Sequence, residues 1–512
     1  MNEATAEDRE TGRPMLLALA AVIAAGFALR VTYLGSGIPF ALGIDEPFVM
    51  MPVVRILKTG SFNPHFFEYP SGYIYVQLGV AIVNFLVGAM RHSWNTVAHV
   101  GPSDFYLWGR FATAALGTAT LFLVYRVGLR WGGRVGLVAA ALLAVMPIHV
   151  RESHFVLTDV PATFAVVLTL LLSLRASEQP TLRAFLAAGA AAGLAAGMKY
   201  NSLVAFSMPL VAALAVGERR TLSRTAALLA AAAACVVAFL VTTPFALFDL
   251  PAFLSGFGSL ASAYTVGPHS SEASWIVYAK HLRQAFGWPA AILVVGGLLI
   301  TARRAVEGRE RVKWALLLAF PVVYFYVING WTYIFARYAL PLIPFLAVWA
   351  AIALDWVAQR LAVPALPAAA RNATAVLALL AVMPGALGSV AFLRAHGTQT
   401  TQALAWAWMK KSIWPGSSIL SEARGLDLPP DRYKAEIVRS LAGRDPESLA
   451  AAGVEWVVLS SDAWGRRVER RPSAAVPNAY APLLAGATSA MVFGPTAKHP
   501  GPTIHILRLG RR

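Results

Sequence analysis

The residues best suited to chemistry in this sequence are acids next to a long apolar run. Residues 43–75, GIDEPFVMMPVVRILKTGSFNPHFFEYPSGYIY, follow the first such run and carry Asp45, Glu46 and Glu68. Pro47, Pro52, Pro64 and Pro70 punctuate the stretch, which favours short helices joined by turns over one long helix. Such a segment can hold carboxylates still at a lipid surface, as solvated loop residues or as a reaction centre. Only 13% of all residues are charged, and an ionisable group at membrane depth is costly unless it is paired, solvated or used. The other candidates are therefore the charges at the edges of apolar runs. Lys199 follows a glycine stripe in GMKYN, where an ammonium can reach lipid headgroups or bind a phosphate. Arg337, in NGWTYIFARYALPLIP, has a guanidinium fork that suits a pair of phosphate oxygens, and an interfacial anchor is the alternative. Its neighbours Trp331, Tyr333 and Tyr338 fit an aromatic belt equally well. Asp159, in RESHFVLTDVPATF, either caps a helix together with Thr158 or faces a cleft. His154, His65, His269 and His281 read as loop histidines, with metal ligation as the other option.

The elements that must position these residues are membrane spans. The 512 residues are 57% hydrophobic with a mean hydropathy of +0.60. Their repeated apolar runs approach the length needed to cross roughly 30 Å of hydrocarbon. That composition excludes a soluble enzyme. The formal net charge of +17 does not form a basic stripe interleaved with aromatics, as nucleic-acid binding would require. Its arginines and lysines sit in short loops between apolar runs, where they orient a membrane protein. The single cysteine, Cys235, lies inside an apolar run, so neither an intrachain disulfide nor a thiolate metal site is available. Residues 1–14 lack the basic start and small-residue cleavage site of a secretory leader, and the first apolar run is expected to be retained. No HExxH, CxxC, GxxxxGK[ST] or GxSxG pattern occurs, which removes the usual support for zinc protease, nucleotide-driven pump and serine hydrolase.

Eleven spans are expected, at about 15–34, 107–128, 134–150, 159–175, 183–198, 200–216, 224–243, 288–302, 312–328, 335–357 and 371–393. Residues 73–90 are long enough for a twelfth, and loop charge decides against it. If they do not cross, the clusters around Arg130, Arg220, Arg304 and Arg360 all fall on one side, the cytoplasm. Residues 73–90 are then a juxtamembrane or re-entrant helix, the amino terminus is cytoplasmic, and the outer loop 35–106 carries the acids. Gly189, Gly193 and Gly197, at every fourth position, predict close helix packing. From residue 394 the texture changes to a helix, TQALAWAWMKKSI, and strand-like SSILSE, VEWVVLS and TIHILRL between Gly/Pro turns. The expected architecture is an all-α polytopic membrane domain over 1–393 with a small extracytoplasmic α/β domain over 394–512.

Taken together, these motifs resemble the polytopic, polyprenyl-phosphate-sugar-dependent glycosyltransferases of the GT-C fold, a class that includes protein O-mannosyltransferases and the aminoarabinose transferase that modifies lipid A. The resemblance covers nearly the whole length. It rests on the acidic pair Asp45-Glu46 after the first span, on Glu68-Tyr69-Pro70, on Thr158-Asp159-Pro161 and on RYALPLIP with Arg337, Tyr338, Pro341 and Pro344. The run LWGRFATAALGTATLFLVYRVGLRWGGRVGLVAAALLAVMP is similar to the family's paired second and third spans. One departure stands out: the family's His-Pro-Pro or Tyr-Pro-Pro is here Tyr69-Pro70-Ser71-Gly72.

The resemblance implies transfer of a sugar from a polyprenyl-phosphate carrier to an acceptor hydroxyl on a protein, lipid or glycan, with inversion, at the outer face of the membrane; the Ala-, Gly- and Arg-rich composition and the lack of eukaryotic sorting signals point to a bacterial inner membrane. A lipid-phosphate sugar already carries a good leaving group. The enzyme then needs a base for the acceptor and cations for the departing phosphate, and no nucleotide fold. By resemblance, Asp45 is the general base, Glu46 positions it or the acceptor, and Asp159 is a second acid in the cleft. Lys199 and Arg337, with Tyr338, hold the lipid phosphate, while Glu68, Tyr69, His154 and His269 line the cleft. A divalent metal ion is a possible cofactor. The alternative reading is a glycolipid transporter or flippase, which should place polar groups at mid-membrane and show internal duplication. No repeat is visible here.

Overall fold

The computed structural model describes residues 6–510 other than 41–44, 218–221, 267–271, 309, 362–366, 423–424, 427, 429–431, 439, 465–477 and 497. The chain divides into two compact units, one of residues 1–34 and 43–392, the other of residues 35–42 and 393–512. Residues 35–42, expected within the outer catalytic loop, thus belong with the carboxy-terminal unit.

In the first unit the apolar runs are helices, because a backbone in hydrocarbon must satisfy its own N–H and C=O groups. They begin with α1 (Ala6–Val31), α2 (Glu46–Thr59), α3 (Gly72–Met90), α4 (Pro102–Gly128), α5 (Gly133–Ala144) and α6 (Pro147–Glu152). Next come α7 (Asp159–Glu178), α8 (Leu182–Met198), α9 (Ser207–Leu214), α10 (Arg224–Thr242), α11 (Phe245–Phe248) and α12 (Leu250–Thr265). The last four are α13 (Ser274–Glu307), α14 (Arg311–Asn329), α15 (Ile343–Leu361) and α16 (Pro367–His396). Among the described residues nine helical segments are long and apolar enough to cross a membrane, Gly72–Met90 included. Gly133–Ala144, Leu182–Met198 and Tyr200–Leu214 are shorter apolar helices.

Two expected spans change shape. The run 134–150 is not one helix: Met146 is extended and Pro147 opens α6, so the chain turns before the acids that follow. The run 288–302 is the end of α13, which breaks at Gly287, where φ is +71° ahead of Pro289.

Helix α3 flanks only the first half of α4. Tyr73 Oη meets Thr113 Oγ1 at 2.5 Å, Gln77 Nε2 donates to the Gly109 carbonyl at 3.1 Å, and Asn84 Nδ2 to the Asp104 carbonyl at 3.2 Å. Its start abuts the end of α8, where a Cβ on Gly72 would strike the Gly197 carbonyl. Helix α3 therefore packs along the amino-terminal half of α4 and against the carboxy-terminal end of α8. The basic turns gather at the other end of α4. There Arg130 pairs with Glu178, Trp131 packs against Trp314 at 5.6 Å, and Lys313 lies 5.3 Å from the Trp131 ring.

The glycine stripe of α8 lets α10 approach closely. A Cβ on Gly189 or Gly193 would collide with the carbonyls of Ala231 and Cys235, and one on Gly197 with Thr242 Oγ1. Two arginines lie fully buried inside apolar helices. Arg110 of α4 holds Glu46, and Arg30 of α1 donates to the carbonyls of Leu143 and Ala144 at the end of α5.

The second unit is built on a five-stranded sheet of order β2-β1-β3-β5-β4, with β1 (Ser418–Glu422), β2 (Lys434–Val438), β3 (Trp456–Ser460), β4 (Ala487–Phe493) and β5 (Ile504–Leu509). β1 runs parallel to β2 and β3, while β5 is antiparallel to β3 and β4. Helix α17 (Thr401–Ser412) and Phe40 pack on one face, where Phe40 meets Trp406 edge to face at 6.5 Å.

Candidate active site

Asp45 occupies the N-cap position of α2 but its side chain makes no cap bond. It accepts a hydrogen bond from Arg337 Nη2 in an ion pair whose side chains are 14% and 20% exposed. Tyr69 Oη donates to the same oxygen, Asp45 Oδ2, at 3.3 Å. Burial raises the Tyr69 phenol well above its ordinary value, and the neighbouring Asp45 charge raises it further, so Tyr69 remains a neutral donor. The proline-broken stretch between α2 and α3 brings Tyr69 back towards Asp45, across 24 residues of sequence.

A second pair sits alongside. Asp159, expected to cap α7, makes no cap bond, and neither does Thr158. Instead Asp159 Oδ1 accepts from Lys199 Nζ at 2.6 Å, with the two side chains 5% and 10% exposed. Lys199 is held in place by the end of α8, where its extended backbone caps the helix. Both cations share one aromatic ring. Lys199 Nζ lies 5.0 Å from the Tyr338 centroid and Arg337 Cζ 5.9 Å from it. The Tyr338 hydroxyl meets that of Tyr264 at 3.0 Å, and its carbonyl accepts from Tyr324 Oη at 3.0 Å. Asn201 Nδ2 in turn donates to Tyr324 Oη at 2.9 Å. Tyr338 is thus fixed from three sides by residues far apart in sequence.

Glu152, at the end of α6, is a further acid of the cluster. It is 4% exposed and accepts from Arg151 Nε at 2.8 Å. Burial raises its carboxyl above the ordinary value against the opposing pull of Arg151, and the charges of Asp159 and Arg337 also act on it.

Beside these charges opens an apolar cavity of about 520 Å³. Glu68, Tyr69, Lys199, Asn201 and Tyr264 supply its polar groups, and Val236, Phe239, Leu240, Phe253, Phe257 and Leu260 much of the rest. Phe253 and Phe257 stack at 6.0 Å, and Tyr200 packs edge-on to Phe257 at 5.2 Å. Lys199, Tyr69 and Tyr264 belong to both the cavity wall and the charge cluster. An apolar chain with a charged head fits that arrangement.

The structure therefore brings together Asp45, Tyr69, Asp159, Lys199, Arg337 and Tyr338, with Glu68 on the shared wall. Two residues expected in the site are engaged elsewhere. Glu46 is fully buried with both oxygens on Arg110, Oε1 to Nε and Oε2 to Nη2, each at 2.8 Å, and Oε1 also accepts from Val156 N at 3.0 Å. Its partner lies inside α4, so Glu46 ties the start of α2 to the bundle instead of facing the cavity. His154 has both ring nitrogens against backbone carbonyls, Nδ1 at 2.8 Å from Val150 O and Nε2 at 3.0 Å from Thr32 O. His269 lies outside the described residues. Among the described residues no group of three or more His, Cys, Asp or Glu is arranged to hold a metal ion. Sequence reasoning missed Asn201 and Tyr324 entirely and gave Glu152 no role.

Residues 105–245 match the dolichyl-phosphate-mannose-protein mannosyltransferase family. No curated protein matches the chain. Among solved structures, the chain is similar to ArnT from Cupriavidus metallidurans bound to undecaprenyl phosphate, at 16% identity and a TM-score of 0.61, over 96% of this chain and 97% of that one. It is also similar to the archaeal oligosaccharyltransferase AglB from Archaeoglobus fulgidus, solved with an inhibitory peptide and a dolichol-phosphate. That match has 14% identity and a TM-score of 0.55, over 88% of this chain and 69% of that one. The match to that family thus lies within residues 105–245, and along most of its length the chain shares the fold of these two solved glycosyltransferases.

Proposed function

We propose that this chain is an integral membrane glycosyltransferase that moves a sugar from a polyprenyl-phosphate carrier to an acceptor hydroxyl, with inversion and with Asp45 as general base. The observation that carries the reading is the meeting of one acid and two cations around Tyr338, beside an apolar cavity that Lys199 also lines. The cavity suits the isoprenoid and the cations suit its phosphate. Solved relatives support the donor class, since one holds undecaprenyl phosphate and another a dolichol-phosphate.

The chemistry follows from the positions. The acceptor oxygen attacks the anomeric carbon while its proton passes to the Asp45 carboxylate. The bond from that carbon to the phosphate oxygen breaks, and its electron pair leaves with the polyprenyl phosphate. Arg337 and Lys199 stabilise the charge that develops there, at about 1.5–3 kcal/mol for each charge-assisted hydrogen bond. Asp159 holds Lys199 at the phosphate end, and Tyr69 fixes the orientation of Asp45. In this reading the basic turns at the opposite end of the bundle face the cytoplasm and the site faces outward, which the tendency of basic loops to stay inside supports.

The test is incubation of the purified protein with a labelled polyprenyl-phosphate sugar and an envelope extract as the source of acceptor. Release of free polyprenyl phosphate with label entering an acceptor is the expected result. Movement of intact donor across a vesicle membrane without cleavage would identify a flippase instead.

A further inference from the structure

The resting structure shows the proposed base and a proposed phosphate ligand bound to each other. Arg337 Nη2 is given to Asp45 Oδ2, while the buried Nε of the same guanidinium has no hydrogen-bond partner. These two nitrogens form the side-on edge of the guanidinium, the edge that takes a two-oxygen anion in parallel hydrogen bonds. Arg110 in this same protein shows that edge fully used, with Nε and Nη2 on the two oxygens of Glu46 at 2.8 Å each. Arg337 is thus half engaged: Nη2 is held by Asp45, and the buried Nε beside it has no hydrogen-bond partner.

From this geometry we infer that the donor phosphate and Asp45 compete for Arg337, so that donor binding is the event that frees the base. The inference rests on the transferase reading of the site and adds to it an order of events. Without donor, the carboxylate's charge is paired with Arg337, and Tyr69 donates to the same oxygen. A phosphate taking Nε and Nη2 together must displace Asp45 Oδ2 from Nη2. Asp45 then keeps only the Tyr69 hydrogen bond and turns to the acceptor hydroxyl. An acceptor, or water, that arrives first meets a carboxylate still paired with Arg337. Lys199 is not part of the exchange, because its charge is matched by Asp159 at 2.6 Å.

The competition is measurable without turnover, as binding of undecaprenyl phosphate to the full-length detergent-solubilised protein in a double-mutant cycle. Asp45→Asn removes the competing charge and should tighten binding about tenfold, which corresponds to about 1.4 kcal/mol. Arg337→Gln should weaken binding, and adding Asp45→Asn to Arg337→Gln should change it less than about twofold, within ordinary additivity. Asp45→Ala serves as a second variant, with the same outcome expected. Unchanged or weaker binding in the folded Asp45 variants overturns the competition. So does an equal gain with and without Arg337, which would mean general charge repulsion and not exchange at this guanidinium. Because the readout is lipid binding, it stands apart from the transferase assay. If binding follows the cycle and no sugar is ever transferred, the reading of the function fails and the competition survives.

Discussion

Replacing Glu46 separates the roles of two adjacent acids. Both side chains of the Glu46–Arg110 pair are fully buried, the pair is bidentate, and Glu46 also accepts from Val156 N at 3.0 Å. Arg110 donates in addition to the Leu34 carbonyl at 3.1 Å. Removing one partner of such a pair leaves an uncompensated buried charge, which costs about 3–5 kcal/mol. Glu46→Ala should therefore lose about that much, a large share of the roughly 5–15 kcal/mol by which folded domains are stable. Glu46→Gln keeps the volume and one acceptor oxygen while giving up the charge-assisted bonds, a loss of about 1.5–3 kcal/mol. Glu46→Leu with Arg110→Met removes both charges at once, and the double variant should be less destabilised than the sum of the two single changes by about 2 kcal/mol or more. The assay is an unfolding titration of the detergent-solubilised protein alongside transfer per folded molecule. Glu46→Gln should keep transfer per folded molecule within severalfold of the parent. A Glu46→Gln protein of parental stability and no transfer would refute the reasoning and return Glu46 to the chemistry.

Lys199→Met should leave Asp159 as an unpaired buried carboxylate and remove one phosphate ligand. A rise in donor KM of about tenfold or more, with a measurable loss of stability, is expected, and unchanged donor KM would count against the phosphate role. Burial raises the Glu152 carboxyl above 4.5, so the folded state binds its proton more tightly than the unfolded state does. That contribution is present below about 4.5 and is lost as pH rises through the higher folded value, so the stability gap between wild type and Glu152→Gln should move in favour of the glutamine over that window; a gap independent of pH would contradict it. Gly193→Val drives a side chain into the Cys235 carbonyl and should cost about 1–3 kcal/mol by forcing α8 and α10 apart, read in the same unfolding titration.

Much of the membrane unit was legible because one physical rule dominates it. Most of the eleven apolar runs form α-helices, and the glycine stripe of α8 packs as its spacing requires. The proline at 147 was visible as a break, yet the length of the run 134–150 outweighed it, whereas the span expected from 288 starts just past the break at Gly287. Asp45, Lys199 and Arg337 could be picked as candidates, since charges at span edges are few, but their pairing could not. Asp45 meets Arg337 across 292 residues and Lys199 meets Asp159 across 40, and only the bundle closes those distances. Glu46 was misread for want of its partner. Arg110 and Arg30 sat in plain sight inside apolar runs, and a buried arginine at that depth is itself a signal that an acid or a helix end is waiting for it. In the second unit, β1, β3 and β5 show strong apolar runs because they are central and buried, whereas the edge strands β2 and β4 expose most residues and leave no pattern to read.

In the proposed reaction Asp45 takes the acceptor's proton while Arg337 and Lys199 hold the departing phosphate. Its most direct measurement is single-turnover transfer from a polyprenyl-phosphate sugar by wild type and Asp45→Asn, at saturating donor, with lipid binding followed in the same samples. Loss of a positioned base predicts a fall of about 10²–10⁴ in the rate of transfer, with Asp45→Asn still folded and still binding the lipid. An Asp45→Asn protein that binds the lipid and transfers sugar at the wild-type rate would contradict the account.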